Sequence, residues 1–316
     1  MTASIRVGVS SCLLGSQVRY DGGHKHDRYI TDTLGRFFTF VPVCPEVESG
    51  MTIPREAMRL EGDPAAPRLM TRQTRVDKTD LMLRFCRTRV IELAHEGLCG
   101  FIFKKGSPSS GLYRVPVHTV SGTGVKNGSG LFAAEVARSF PLLPLEEEGR
   151  LNDPDIRENF IERIFSFHRW QSFLRGDTRL GELVSFHTRH KLLLMSHSPV
   201  IYRQLGVIVA QGKEMPSDQL LPLYEELFMK ALAQHATVRK HTDVLMHIMG
   251  YFKKELSARE KQELLGIIEQ YHERLVPLIV PLTLLRHYIG RYDQPYLKDQ
   301  VYLAPHPAEL MLRNHV

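Results

Sequence analysis

Residues 5–15 read Ile5-Arg6-Val7-Gly8-Val9-Ser10-Ser11-Cys12-Leu13-Leu14-Gly15. The run Ile5 to Val9 is short, apolar and β-branched, which suits a buried strand, and the Ser- and Gly-containing stretch after it suits a loop. The same pairing recurs twice. Phe38 to Val43 reads as a strand and runs into Cys44-Pro45-Glu46, and Gly100 to Lys104 reads as a strand that runs into Gly106-Ser107-Pro108-Ser109-Ser110-Gly111. Between those two, Lys78 to Glu96 has helical spacing, with Leu81, Phe85, Ile91 and Leu93 available for one apolar face. Strands separated by helices point to βαβ units, hence a Rossmann-like α/β domain with a parallel-rich sheet. A further helix is expected over Leu131 to Ser139, after a Gly-rich turn from Gly122 to Gly130.

Pro141 and Pro144, followed by Glu146-Glu147-Glu148-Gly149, mark a boundary, and the character of the chain changes after Arg150. The expected division is an α/β domain over 1–148 and an all-α domain over 149–316. Asn152-Asp153-Pro154 opens a helix with proline in its first turn. Helical periodicity then continues to about Arg291, Ser257-Ala-Arg-Glu260 fits a capping box, and Pro216 and Pro222 flank a loop and a helix start. From Gln294 onward the chain is expected to be irregular until a short last helix.

With 316 residues, 43% hydrophobic and 24% charged, each half can bury its own core. The net charge of +6 favours polyanionic partners without requiring one. Four cysteines are too few for a disulfide framework at this length, and no two form a C-x-x-C pair. No uncharged apolar run approaches the ~20 residues needed to span a bilayer. The opening residues run straight into the first strand without the pattern of a signal peptide, so the protein is expected to be cytoplasmic with reduced thiols. Histidine is uneven, 11 of 15 lying after Arg150. The clusters His187-Thr-Arg-His-Lys191 and Arg239-Lys-His241 suit phosphate contacts, with a solvated helix face as the plainer alternative.

In a parallel α/β sheet the strand C-termini share one edge, where ligands bind. Cys12, Cys44, Glu46, Ser107 and Ser110 are therefore expected to converge. Two thiols at strand ends suit a soft metal. Cys86, on the helix, and Cys99, just before a strand, read as core residues. Glu46, near the metal edge and partly desolvated, is a candidate proton donor or acceptor with a raised pKa, against the plainer role of an ion-paired glutamate at a helix start. Ser107 and Ser109 offer hydroxyls from a Gly/Pro loop, and Lys104 and Lys105 offer charge to an anionic substrate.

Taken together, Ser11-Cys-Leu-Leu-Gly15 with Arg19-Tyr-Asp-Gly22, Val43-Cys-Pro-Glu-Val47 and Lys104-Lys-Gly-Ser-Pro-Ser-Ser-Gly111 resemble the thiouracil desulfidase family over residues 4–145. The stretch Phe186-His-Thr-Arg-His-Lys-Leu-Leu-Leu-Met-Ser-His197 resembles the helical domain often fused to it, and such fused proteins are similar to tRNA 4-thiouridine desulfidases. The resemblance implies a [4Fe-4S] cluster with one open iron. It places the metal ligands at Cys12, Cys44 and the position of Ser110 and the assisting groups at Glu46 and Ser107, while Lys104 and Ser109 are expected as substrate contacts from the reading of their loop. The implied reaction takes sulfur from thiolated uracil, with tRNA as partner and 4-thiouridine becoming uridine. The chain departs from the family at one point, since the pattern Ser-Pro-Ser-Cys-Gly reads Ser107-Pro-Ser-Ser110-Gly here. A hydroxyl is a poorer iron ligand than a thiolate. Two other readings stay open, an RNA-binding module without the cluster and an enzyme for free thiouracil whose helical domain serves dimerisation.

Overall fold

The computed structural model describes residues 4–119 and 123–315, and divides into two compact units, Met1–Asp153 and Pro154–Val316. In chain order the first unit holds β1 (Ile5–Ser10), β2 (Phe38–Val43), the one-turn helix α1 (Pro45–Glu48), β3 (Met58–Glu61), β4 (Arg68–Thr71), α2 (Thr79–Ala94), β5 (Leu98–Phe103), β6 (Val115–His118), β7 (Gly124–Gly128), α3 (Leu131–Ser139) and β8 (Leu145–Glu147). The main sheet has the order β2-β1-β5-β8 and every pairing in it is parallel. Val7, Val9, Phe101, Ile102 and Phe103 are fully buried along its centre. Gly8 pairs with Phe101 in register, and a Cβ at Gly8 would lie 2.2 Å from the Phe101 ring, so the glycine makes room for the aromatic.

The three strands expected from the sequence and the helices α2 and α3 are present, β5 beginning two residues early. The buried face of α2 differs from the expected one. It carries Met82, Cys86, Val90 and Leu93, while Ile91 is exposed and Leu81 and Phe85 are half-buried. Cys86 and Cys99 are core residues, at 0% and 2% exposure. A second sheet, β4-β3-β6-β7, had no counterpart in the sequence reading. Its strand β7 lies within the stretch read as a Gly-rich turn, of which Gly122 falls outside the described residues. The acidic run expected to mark the boundary belongs to the first unit, with Glu146 and Glu147 buried in β8, and the division falls after Asp153.

The second unit contains α4 (Pro154–Leu174), α5 (Leu180–His197), α6 (Pro199–Ala210), α7 (Ser217–Leu232), α8 (Val238–Met249), α9 (Ala258–His272), α10 (Ile279–Arg291) and the short α11 (Pro295–Lys298). The capping box at the start of α9 is formed on both sides, by Ser257 and Glu260. Pro222 lies inside α7 rather than ahead of it. Among the described residues after α11, the helical segments are 3₁₀ turns, at Val301–Leu303 and Ala308–Leu310. The core is aromatic. Trp170 stacks on Tyr224 at 5.2 Å between centroids and meets Phe186 edge-on at 5.3 Å. Among the described residues no helix is long and apolar enough to cross a membrane.

Candidate active site

The C-terminal ends of β1, β2 and β5 open into one cavity of about 230 Å³ in the first unit. Cys12, Cys44, Glu46, Lys104, Ser107, Ser109 and Ser110, all expected from the sequence, line it. Cys12 sits in a 3₁₀ turn, Ser11–Leu14, closed by Gly15 in the left-handed region at φ 92°. Burial pushes the Cys12 thiol up to about 11 against the pull of Lys104 and Arg19, and burial also raises Cys44. Ligand binding to metal would therefore have to displace both thiol protons.

The loop carrying the serines is clamped from two sides. Helix α3 leaves N–H groups without helical partners at its start. These find the loop instead: Leu131 N donates to Pro108 O at 3.2 Å, Phe132 N to Ser109 O at 2.9 Å, and Gly130 N to Gly111 O at 2.7 Å. A Cβ at Gly130 would sit 2.5 Å from the Ser109 carbonyl carbon. On the other side, Glu147 Oε1 accepts from Leu112 N at 2.9 Å and Tyr113 N at 3.1 Å. Glu148 accepts from Lys105 N at 2.7 Å and is ion-paired to Lys104 Nζ. Lys104 is thus a charge already countered, and Lys105 is exposed. Replacing Gly130 by alanine should displace Ser109 and Ser110 and cost about 1–3 kcal/mol, as overpacking does. Urea unfolding of the variant, with the full chain, checks this.

Glu46 lies in the first turn of α1, and both its oxygens accept hydrogen bonds. Oε1 accepts from Ser109 Oγ at 2.8 Å, and Oε2 accepts from Arg55 Nε at 2.8 Å and from Arg55 Nη2. Of the two roles expected for Glu46, the structure shows the ion-paired glutamate at a helix start, in the same cavity as the thiols. Arg55, 7% exposed at its side chain, is held by Val18 O at 2.9 Å and Thr52 O at 3.3 Å. No motif marks Arg55 in the sequence. Ser109 spends its only hydroxyl proton on Glu46. The 2.9 Å contact between Ser107 Oγ and Ser109 Oγ then has Ser107 as donor. A chain Ser107 Oγ–H to Ser109 Oγ–H to Glu46 Oε1 results, and Ser107 Oγ also accepts from Ser110 N at 3.1 Å. Ser109, expected as a substrate contact, is 1% exposed and is the middle of this chain.

Ser110 is 4% exposed, and its hydroxyl has no hydrogen-bond partner among the described residues. A free hydroxyl beside two thiols, near the cations Lys104 and Arg19, fits in placement the three-armed holder of an anionic iron–sulfur group, with oxygen as the third arm. Cys99 cannot replace it, since it lies at the far end of β5. Among the described residues, Glu158, Glu162 and His306 in the second unit also lie close enough to share a cation. The buried Arg313 already occupies that place, with Nε 3.2 Å from Glu158 and Nη2 3.1 Å from Glu162. The histidine clusters do not form a solvated face: His187, His190 and His241 are buried, while Arg189 and Arg239 are exposed.

Residues 7–148 match the family described as 2-thiouracil desulfurase, and residues 191–307 match the family described as protein of unknown function (DUF1722). Over 158 residues the chain is 33% identical to the uncharacterized protein YbgA of Escherichia coli strain K12, a match covering 50% of this chain and 94% of that protein. A solved structure, the [4Fe-4S]-dependent thiouracil desulfidase TudS, is similar at 27% identity and a TM-score of 0.40, over 48% of this chain and 95% of that one. By its first unit the chain belongs to the 2-thiouracil desulfurase family, and by its second to the family of unknown function DUF1722.

Proposed function

We propose that the first unit removes sulfur from a thiolated uracil by hydrolysis, with 4-thiouridine in tRNA as its substrate: thiocarbonyl and water become carbonyl and hydrogen sulfide. One observation carries the reading, the meeting in one cavity of two thiols with a hydroxyl chain that ends on Glu46. Cys12, Cys44 and Ser110 would hold a [4Fe-4S] cluster, which supplies a soft Lewis acid for the substrate's sulfur when bound. The protein's own groups move the protons. As water attacks the ring carbon, Ser107 Oγ takes its proton, passes its own to Ser109, and Ser109 passes one to Glu46. Arg55 fixes the Glu46 carboxylate against Ser109 throughout. The proton stored on Glu46 returns along the same chain to the departing sulfide. The net charge of +6 supports an RNA substrate, whose thiolated base must leave the stack to enter the cavity.

The serine at 110 favours a second reading, a tRNA-binding protein without the metal. The test is anaerobic reconstitution of the protein and of Ser110→Cys, followed by iron and acid-labile sulfide assays and turnover of thiolated tRNA and of free thiouracil. Ser110→Cys is expected to retain several-fold more iron and to release sulfide from tRNA. Faster release from the free base than from tRNA would move the substrate to the small molecule. Iron in neither form, with salt-dependent tRNA binding intact, would establish the second reading instead.

A further inference from the structure

His187 on α5 has an unmet need. It is 3% exposed, yet its Nε2 is buried with no hydrogen-bond partner. Its Nδ1 lies 3.1 Å from the Tyr224 hydroxyl. Tyr224 is fully buried and has no other hydrogen bond among the described residues, so its hydroxyl donates to Nδ1. Burial, with Lys191 nearby, brings the His187 pKa down to about 4, so the ring is neutral at pH 7 and its one proton is on Nε2. A buried N–H without an acceptor costs roughly 1–3 kcal/mol. Native structures seldom leave one without a reason.

His187 is also one of the residues that line a groove of about 380 Å³ between α5 and α6. Thr188, Lys191, Tyr202 and Lys213 line the groove with it, and no carboxylate does. Neither Lys191 nor Lys213 has an ion pair or hydrogen bond among the described residues. Gly206, in the middle of α6, also lines the groove, and a Cβ there would meet nothing within 4 Å. Packing does not require this glycine, although glycine inside a helix costs about 1 kcal/mol relative to alanine. Its effect is to leave the groove open. Val184 and Val209 give the groove an apolar wall beside the Tyr202 ring, which runs parallel to His187 at 7°.

We infer that this groove binds the phosphate of a nucleotide, with the His187 Nε2–H and the Lys191 and Lys213 ammonium groups on the phosphate and Tyr202 beside the attached nucleoside. Two unpaired ammonium groups plus a fixed neutral donor suit a phosphate better than a single negative charge. The phosphate can belong to an RNA strand or to a free nucleotide. The inference does not rest on the desulfurising reading, because the groove lies wholly in the second unit.

The test uses the full chain, labelled with ¹⁵N-histidine, with inorganic phosphate, uridine monophosphate and tRNA as separate probes. The His187 Nε2 signal, assigned by its loss in His187→Gln, is expected to shift saturably with uridine monophosphate. In parallel, tRNA binding is followed against salt for Lys191→Ala, Lys213→Ala and Gly206→Leu. If the phosphate is that of a strand, each lysine variant lowers the slope of log K against log salt by about 1. Gly206→Leu then weakens tRNA binding while its melting temperature is unchanged or higher. If the ligand is a free nucleotide, the same variants abolish the uridine monophosphate shift and leave tRNA affinity alone. The inference is overturned if none of the three probes moves the His187 signal and Gly206→Leu binds tRNA as the parent does.

Discussion

Glu46→Gln is expected to lower the rate of sulfur release from a thiolated uracil by ~10²–10⁴-fold, the range of a lost general base, with the iron content unchanged. The size follows from the direction of the hydroxyl chain. Glu46 accepts from Ser109 on one oxygen and from Arg55 on the other. A glutamine must set its oxygen toward the guanidinium, since an amide N–H₂ there would face another donor. Its N–H₂ group then points at Ser109, which must turn its own proton toward Ser107. The chain reverses and ends without a base. Ser107→Ala should break the same chain at its entry, so the double variant should be little worse than either single one. Steady-state rates of the four proteins decide the matter. Rates for Glu46→Gln within about threefold of the parent would remove the chain from the mechanism. Arg55 keeps its contacts to Val18 O and Thr52 O in the variant, so folding should survive.

Glu162→Leu is expected to destabilise the second unit by about 3–5 kcal/mol, the cost of leaving buried charge unpaired. Glu162 is 3% exposed and receives His197 Nε2 at 2.5 Å and Arg313 Nη2 at 3.1 Å. Burial opposes its ionisation, but His197 and Arg313 outweigh burial and hold its carboxyl well below the usual range. Its contribution is therefore present at neutral pH and is lost as pH falls below the ordinary carboxyl value toward the folded one. Glu158 titrates the other way. Burial raises it to about 7 despite Arg313, so its contribution is greatest below about pH 4.5 and is lost as pH rises through 7. Urea unfolding followed by the fluorescence of Trp170, the single tryptophan of the chain, reports on this unit. A loss under about 1 kcal/mol at pH 7 would mean that solvent reaches the network and screens it. Replacing Glu158, Glu162, His197 and Arg313 together by apolar residues should recover much of the loss, since the members of the network are then removed as a set and none is left inside without its partner.

The parallel sheet was legible because its strands carry dense β-branched or aromatic runs, as in Ile5 to Val9 and Phe38 to Val43. The second sheet was not. Met58–Glu61 and Arg68–Thr71 are only four residues long and interleave charge, and Gly124–Gly128 contains two glycines, which strands usually avoid. Tertiary pairing decides such segments. At the cavity, the loop residues were found because each follows a strand, whereas Arg55 reaches Glu46 from an irregular segment. Its place depends on carbonyls of Val18 and Thr52. The burial of His187, His190 and His241 was not legible for a similar reason. Spacing along α5 does not tell whether an imidazole has found a phenol such as Tyr224 inside the bundle.

Six residues separate the end of strand β8 from the start of the second unit, and Glu147 in β8 with Glu148 just after it holds the backbone on either side of the serine loop. This bears on how the chain can be divided. A fragment stopped at Pro144, where the prolines invite a cut, would retain every residue that lines the cavity and lose the three glutamates beyond it. Leu112 N, Tyr113 N and Lys105 N would lose their acceptors, and Lys104 its counter-charge. The first unit is thus portable only with the chain past Glu148, to its own end at Asp153. Any exchange of its neighbour, in the laboratory or in evolution, has to be spliced after that residue.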